Sequence, residues 1–362
     1  MAGKKHIAYY VSAHGYGHGV RSSDIVRALR RDHPGIAVTL ISELPQPFLR
    51  NRLGPAAVRL RAGAFDVGMV QLDSIRVDVP ATLAAVQKLL ARKEQIMEGE
   101  TSFFRKEGIS LVVADIPAVP LEAARRHGLP GLAVGNFAWD WIYDEFAVAD
   151  PRWAPVVREF EHGYRQADLL LRLPFHEPMQ AFPRKEDIPL VASPGRNRRS
   201  ELARLTGAAP ERKWVLLSFT SLDWDLRAVD NVEELTDYEF FTVKPLEWKR
   251  RNIHPVSRDD MPFSDVLASA DAVISKPGFG LVSECVVNRK PLVHADRTDF
   301  REYPVLLEAV RKYLRQCPIP AEALYRGEVR GALDALWTQP EPKETVPSGG
   351  AEIAARRIVS FL

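Results

Sequence analysis

Two histidines flanking a glycine-rich turn are the first residues whose types and spacing could do chemistry. Ala13-His14-Gly15-Tyr16-Gly17-His18-Gly19-Val20-Arg21 follows an apolar run, His6 to Ser12, and precedes an amphipathic one. Three glycines let a backbone turn tightly and approach a ligand closely. An imidazole at the carboxyl end of a first strand can take a proton from a hydroxyl near neutral pH. A lone histidine there would more simply cap or pack the helix; a pair favours chemistry, with His18 and His14 as candidate bases. Tyr16 and Arg21 stand beside them as candidate contacts to an acceptor.

Asp115 ends the apolar run Leu111-Val112-Val113-Ala114. A carboxylate just after a buried strand can orient a base histidine by accepting its other N–H, or it can cap the helix that follows. Asn136-Phe137-Ala138-Trp139-Asp140-Trp141 interleaves rings with polar groups. That mixture suits an acceptor pocket formed by Asn136, Trp139 and Asp140, and equally an aromatic core.

The second half has its own chemical stretch, Ser275 to Pro291, SKPGFGLVSECVVNRKP. Ser275, Lys276, Gly278, Phe279 and Gly280 form a loop after a strand. Leu281, Val282, Cys285 and Val286 then recur at helical spacing. A glycine loop feeding a helix offers unpaired N–H groups and a positive dipole end to a phosphate. Ser283 and Glu284 lie one turn in, where a carboxylate can accept from a ribose. Ser218-Phe219-Thr220-Ser221 ends another strand, and Ser218 and Thr220 are candidate phosphate contacts. Asp299 and Glu302, in the Asp296–Glu302 run DRTDFRE, are candidate acceptors for sugar hydroxyls, although exposed loop charges are usually only solvated.

The elements that must position these residues alternate. Strands are expected at His6–Ser12, Ala37–Ser42, Val58–Ala62, Ser110–Ala114, Gly131–Val134, Ala167–Leu171 and Ile188–Ala192. Helices are expected at Ser22–Arg31, Ala81–Lys106 and Leu121–His127. Trp139 to Phe182 is aromatic and less regular. Beyond the polar stretch Ser193–Ser200, whose arginines read as a solvated linker, strands follow at Trp214–Ser218, Phe240–Val243, Ala272–Ser275 and Leu292–His294. A helix over Tyr303–Tyr313, a linker over Gln339–Gly350 and a last helix over Ala351–Leu362 complete the chain. Alternating β and α elements specify parallel sheets wrapped by helices. The expected domains are residues 1–195, 196–345 and a returning helix, 346–362.

Bulk composition narrows the function. The chain has 362 residues, 46% apolar, and a net charge of +2 from 49 basic and 47 acidic side chains. That balance gives nucleic acid or an anionic membrane no electrostatic hold. Two cysteines make no zinc spacing or disulfide framework and fit a reducing cytoplasm. No apolar run approaches the ~18–20 residues that span a bilayer, so no integral membrane segment is expected. The spacing GxGxG is not GxGxxG, and no acid follows to hold a ribose, so neither a nicotinamide nor a flavin cofactor is expected. P-loop, HExxH, CxxC and GxSxG motifs are absent, and no protein metal site is expected.

Several long runs together resemble a known family: YYVSAHGYGHGVR, LVVADIPAVP, NFAWDWIYDEFAVA, LLLRLPFHEPMQAFP, and SKPGFGLVSECVVNRKPLV followed by DRTDFREYPVL. They resemble the N-terminal, glycosyltransferase-like domain of plant-type L-arabinokinases and its stand-alone bacterial relatives. More distantly the chain is similar to nucleotide-sugar transferases of the GT-B fold. The resemblance implies two Rossmann-like domains facing a cleft, the first for the acceptor and the second for the donor. It implies His18 as base, Asp115 as its orienting acid, Glu284 on the ribose, and Arg301 with Glu302 on the sugar. The implied activity is inverting transfer of a sugar from a nucleoside diphosphate sugar, UDP foremost, to an unknown acceptor, without another cofactor. A nucleotide-sugar binding or regulatory module and a nucleotide-sugar epimerase are the alternatives. No kinase module is expected in this chain, and Ser275-Lys276-Pro277 stands where plant enzymes carry their donor signature.

Overall fold

The computed structural model describes residues 5–296 and 301–362. Before the chain's midpoint it runs β1 His6–Val11, α1 Tyr16–Asp32, β2 Ala37–Ile41, α2 Gln46–Leu53, β3 Arg59–Arg61, α3 Val79–Ala91 and α4 Lys93–Glu107. It continues with β4 Leu111–Asp115, α5 Val119–His127, β5 Gly131–Gly135, α6 Trp139–Ala147, α7 Trp153–Tyr164, β6 Leu169–Arg172 and β7 Lys185–Asp187. Then come α8 Arg199–Thr206, β8 Lys213–Ser218, α9 Leu226–Glu233, β9 Tyr238–Val243, β10 Ile253–Val256, α10 Phe263–Ser269 and β11 Ala272–Ser275. The remainder is α11 Phe279–Asn288, β12 Leu292–Ala295, α12 Glu302–Tyr313, β13 Gln316–Ile319, α13 Ala321–Tyr325, α14 Arg330–Thr338 and α15 Gly350–Val359.

These elements form two units. The first holds Met1–Val70, Asp78–Ala192 and Pro347–Leu362; the second holds Gln71–Val77 and Ser193–Val346. In the first, seven strands lie in the order β3-β2-β1-β4-β5-β6-β7, and in the second six lie in the order β10-β9-β8-β11-β12-β13. Every pairing between these strands is parallel. Parallel strands covered on both faces read as unbroken apolar runs, and β1, β4 and β5 are buried at every residue. In each unit the strand order reverses beside the first strand, between β1 and β4 and between β8 and β11. Ligands of such sheets gather at the carboxyl ends of those strands.

Several boundaries differ from the sequence expectation for identifiable reasons. Helix α1 starts at Tyr16, so His18 sits in its first turn and not in a loop. Glycines lowered its helical signal, but Gly15 takes the extended N-cap conformation, φ −159°. The single helix expected over 81–106 is two. Arg92 (φ −103°, ψ 3°) turns the chain between them. Next to it Lys93 Nζ is tied to Glu122 at 2.5 Å and Glu159 at 2.8 Å, and α3 packs on α7 while α4 packs on α5. Ile188–Ala192 is no strand; it makes one parallel bridge, Leu190 to Ser348, and β7 lies before it. The aromatic stretch holds two helices, α6 and α7, whose rings stack as Tyr143 on Trp139 and on Trp153. Arg198 and Arg199 are not a solvated linker. Arg199 bonds Asp271 at 3.0 Å with its guanidinium 4.1 Å from the Trp214 ring centroid, and Arg198 reaches Asp265 at 3.3 Å.

The end of the chain is fastened into the first unit. Leu190 N–H donates to Pro347 O at 2.9 Å and Gly350 N–H to Leu190 O at 3.1 Å. A Cβ on Gly350 would stand 2.0 Å from Pro189 O. Helix α15 then lies on α1, with Ala354, Ala355 and Ile358 in the core of β1 and α1. Among the described residues no helix is long and apolar enough to cross a membrane. Ile358 is fully buried, so Ile358→Ala should cost about 2–4 kcal/mol, transfer and cavity terms together. Urea unfolding measures it, and a cost near zero would mean that α15 is not part of the folded core.

Candidate active site

The first unit's site is built around one carboxylate at the end of β4. Asp115 has no solvent exposure. Helix α1 presents His18, Arg21 and Ser22 to it, at i, i+3 and i+4, the spacing that shares one helix face. His18 Nδ1 lies 2.8 Å from Asp115 Oδ1. Arg21 donates from Nη2 to Oδ1 at 2.6 Å and from Nε to Oδ2 at 2.8 Å, and Ser22 Oγ donates to Oδ2 at 2.7 Å. Arg21 Nη1 also donates to Asn136 Oδ1 at 2.6 Å, and Asn136 Nδ2 donates to Pro174 O at 2.9 Å.

This geometry fixes the histidine's tautomer. A bare Nδ1 lone pair 2.8 Å from a carboxylate would repel it, so Nδ1 carries the proton and donates. Arg21 Nη2, 3.0 Å from the same nitrogen, is then a close neighbour and not a donor to it. The Nε2 lone pair remains, with no hydrogen-bond partner among the described residues. Burial opposes the charge on Asp115, but Arg21 and then His18 outweigh it and hold the carboxyl well below its usual range.

A second constellation lies beside it. His14 Nδ1 accepts from Met69 N–H at 3.2 Å, and its ring stands edge-on to Trp139, centroids 5.1 Å apart. Trp139 Nε1 donates to Asp66 Oδ2 at 2.9 Å, and Tyr143 OH to Gly68 O at 3.1 Å. Gly68 has φ +70°, and a Cβ there would lie 2.3 Å from His14 Nδ1; only glycine fits both demands. Asp66 and Gly68 carry no sequence signal, because they lie in an irregular loop with no periodic pattern. Of the acceptor candidates, Arg21, Asn136 and Trp139 are almost wholly buried and spent on protein partners. Tyr16 is partly open and packs edge-on against Phe48. Asp140 lies in the first turn of α6 with its carboxyl pushed up to about 6 by burial, and its Oδ1 is buried without a hydrogen bond among the described residues.

The second unit's site surrounds the β8–β11 switch. Ser275 Oγ donates to Ser218 O at 2.5 Å, joining the two strand ends. Helix α11 begins at Phe279 with Gly278 as an extended N-cap and no side-chain cap. A Cβ on Gly278 would meet nothing within 4 Å. Lys276 and Gly280 flank it, Ser283 Oγ turns back to Phe279 O at 2.7 Å, and Glu284 is buried on the same helix. Arg301 caps α12 and Glu302 is buried in its first turn. Asp299 lies outside the described residues.

The hydroxyl loop after β8 has a partner that sequence reading missed. Ser74, from the Gln71–Val77 segment, accepts at Oγ from Ser221 N–H at 2.9 Å and Thr220 N–H at 3.2 Å. Its own N–H donates to Ser221 O at 3.2 Å. Asp73 caps the turn through Ile75 and Arg76 N–H, and Tyr325 OH reaches its Oδ2 at 2.9 Å. Residues 71–77, expected within the first domain, therefore pack with the second unit.

Asp115 titrates with a clear sign. A depressed folded value stabilises the fold above the unfolded carboxyl value, near 3.9, and that stability is lost as pH falls below it. Asp115→Asn removes one partner of a buried charge pair and should cost about 3–5 kcal/mol near neutral pH. In urea melts the gap to wild type should narrow below about pH 4; a gap that stays constant would deny Asp115 its ionised state.

Among the described residues no group of three His, Cys, Asp or Glu side chains could hold a metal ion. No family model matches the chain. It is 29% identical over 324 residues to L-arabinokinase of Arabidopsis thaliana, covering 88% of this chain but 31% of that protein, so it spans about a third of its relative's length. Solved structures with a similar course include Arabidopsis thaliana UGT89C1 complexed with quercetin, with TM-score 0.67, 11% identity, and 98% and 99% of the two chains covered. A UGT transferase from Siraitia grosvenorii in complex with UDP gives TM-score 0.60, 14% identity, and 99% and 100%. Such identities speak to fold: the chain's two parallel-sheet, Rossmann-like units are those of the GT-B glycosyltransferases, and its sequence is similar to L-arabinokinase over most of its length.

Proposed function

We propose that the chain transfers a sugar from a nucleoside diphosphate sugar, with UDP as the nucleoside diphosphate, to a hydroxyl acceptor, with inversion at the anomeric carbon. The observation that carries this reading is His18, held by a buried carboxylate at Nδ1 and with Nε2 unengaged among the described residues. That is the arrangement of a general base. His18 Nε2 takes the acceptor's proton. The acceptor oxygen forms its bond to the anomeric carbon as the bond to the diphosphate breaks on the opposite face. Asp115 keeps the tautomer and stabilises the imidazolium.

The donor belongs to the second unit. N–H groups at the start of α11, whose N-cap is a glycine, favour a diphosphate, Lys276 adds positive charge, and Glu284 accepts from the ribose. Arg301 and Glu302 are the sugar contacts in this reading. Support for UDP comes from the solved relative that contains it. Kinase activity is not carried over from L-arabinokinase, of which this chain matches under a third.

His18→Ala should lower turnover by about 10² or more while the thermal shift given by UDP is unchanged; near-wild-type turnover would remove His18 as base. Gly278→Ala places a methyl group where no protein atom stands. It should leave thermal stability within about 0.5 kcal/mol and weaken donor binding about tenfold. Unchanged donor affinity would move the diphosphate away from this helix start. Incubation with a panel of nucleotide sugars separates the alternatives. Nucleotide released only with acceptor supports transfer, an altered sugar still on its nucleotide supports epimerisation, and binding without turnover supports a regulatory module.

A further inference from the structure

At the end of β8 two N–H groups and two hydroxyls fix one another's direction. Ser74, on the Gln71–Val77 turn that packs with the second unit, accepts at Oγ from Ser221 N–H at 2.9 Å and from Thr220 N–H at 3.2 Å. The same Oγ stands 3.2 Å from Thr220 Oγ1. A hydroxyl oxygen has two lone pairs and one proton. Both lone pairs of Ser74 are taken by the N–H groups. At the third contact Ser74 therefore gives its proton, and Thr220 Oγ1 accepts it. The proton of Thr220 is left over. Among the described residues no other group bonds Thr220 Oγ1, and Thr220 is exposed while Ser74 is only 1% exposed. The hydrogen bonds thus run outward, from two backbone dipoles through Ser74 to the O–H of Thr220.

The relay is held on every side. Phe219 and Leu222, which flank the two N–H donors, are buried in the core of the second sheet, and so is Ile75, next to Ser74. Ser74 N–H donates to Ser221 O at 3.2 Å. Asp73 ties the turn by accepting from Ile75 and Arg76 N–H at 2.7 and 2.8 Å, and Tyr325 OH donates to its other oxygen at 2.9 Å. Ser275 Oγ joins the end of β8 to that of β11. Satisfying two N–H groups takes one acceptor oxygen. A hydroxyl on Thr220 adds nothing to that task; it adds an outward donor. Hydrogen bonds in series strengthen one another, and such a donor finds its strongest partner in a charged oxygen.

We propose that Ser74 is a positioning residue for the donor: it commits the Thr220 hydroxyl to donating, toward an unprotonated oxygen of the nucleoside diphosphate. The inference rests on the donor reading above. The N–H pair stays with Ser74, and its polarity reaches the ligand through the two hydroxyls. A hydroxyl fixed as donor favours an anion over a neutral ligand, and no covalent bond is made or broken in the contact.

Calorimetric titration with UDP, pyrophosphate and uridine tests this. Thr220→Val keeps the shape of the side chain and removes its hydroxyl. It should weaken UDP and pyrophosphate about tenfold, the measure of one hydrogen bond to a charged group, with uridine affinity and Tm unchanged. Thr220→Ser should bind all three as wild type does. Ser74→Ala leaves the backbone of the turn over the N–H pair, so the pair stays closed to ligand while Thr220 loses its direction. Its Tm should fall, because two N–H groups lose their acceptor. It should weaken UDP and pyrophosphate, again without loss of uridine. The double variant should lose no more than Thr220→Val, because the two hydroxyls act as one unit. Wild-type pyrophosphate affinity in Thr220→Val, tighter or unchanged pyrophosphate in Ser74→Ala, additive losses in the double variant, or a loss shared equally by uridine would overturn the assignment. If wild type binds pyrophosphate but not UDP, the nucleotide reading fails by itself and the pyrophosphate arm still decides Thr220 and Ser74. If wild type binds neither, both readings fall.

Discussion

A carboxylate with no access to water needs donors on every side, and Asp115 sets that demand for the first unit. Leaving it unpaired would cost several kcal/mol, so the chain around it has little freedom. Helix α1 has to begin by Tyr16 for His18, Arg21 and Ser22 to share the face that meets β4. Arg21 in turn has to be steadied, which Asn136 does from the end of β5. The ion pair and the hydroxyl satisfy the acid, and the histidine is oriented as part of the same solution. The proposed proton-transfer site and the requirement of burial draw on one set of residues.

The two units use the same local design differently. Each places a glycine in extended conformation as the N-cap of the helix after a switch-point strand, Gly15 before α1 and Gly278 before α11. Neither glycine has a positive φ, and a Cβ on either would touch nothing within 4 Å. Turn geometry therefore does not require glycine at these positions; close approach of a ligand would. In the first unit the helix spends its face on Asp115. In the second, Glu284 sits buried one turn in and the N-cap is a glycine with no side chain to cap the helix. The positive end of that dipole favours an anion.

Most of the sheet framework was legible because buried parallel strands are apolar runs bounded by turns, and β1, β4, β8 and β11 are the clearest of these. The pairing of His18 with Asp115 was legible in outline because Asp115 ends β4 and His18 follows the turn after β1. Their partners were less so. Arg21 reads as an acceptor contact until the fold brings it to Asp115, and Ser22 has no mark beyond its i+4 spacing. Trp139 reads as a pocket wall, yet it is fully buried, because an indole gains more from the ring stack with Tyr143 and a bond to Asp66 than from water. Asp66, Gly68 and Ser74 all fall between β3 and α3. Neither helical nor strand periodicity marks that stretch, and its side chains take their meaning from elements far along the chain.

Ser74 limits what the hydroxyl loop of the second unit can offer a ligand. Its hydroxyl oxygen sits on two successive N–H groups, those of Thr220 and Ser221, as one oxygen of an oxyanion would. Those donors are the ones a strand-end hydroxyl loop would otherwise offer to a phosphate. An incoming phosphate oxygen can use them only by displacing Ser74, and it would exchange one accepted pair of hydrogen bonds for another with little net gain. At α11 the N-cap residue is Gly278, which has no side chain to compete. In the proposed reading, a diphosphate held by this unit would draw its binding energy mainly from Gly278 and the α11 N-terminus. The Ser218–Ser221 loop is held by Ser275 on one side and Ser74 on the other.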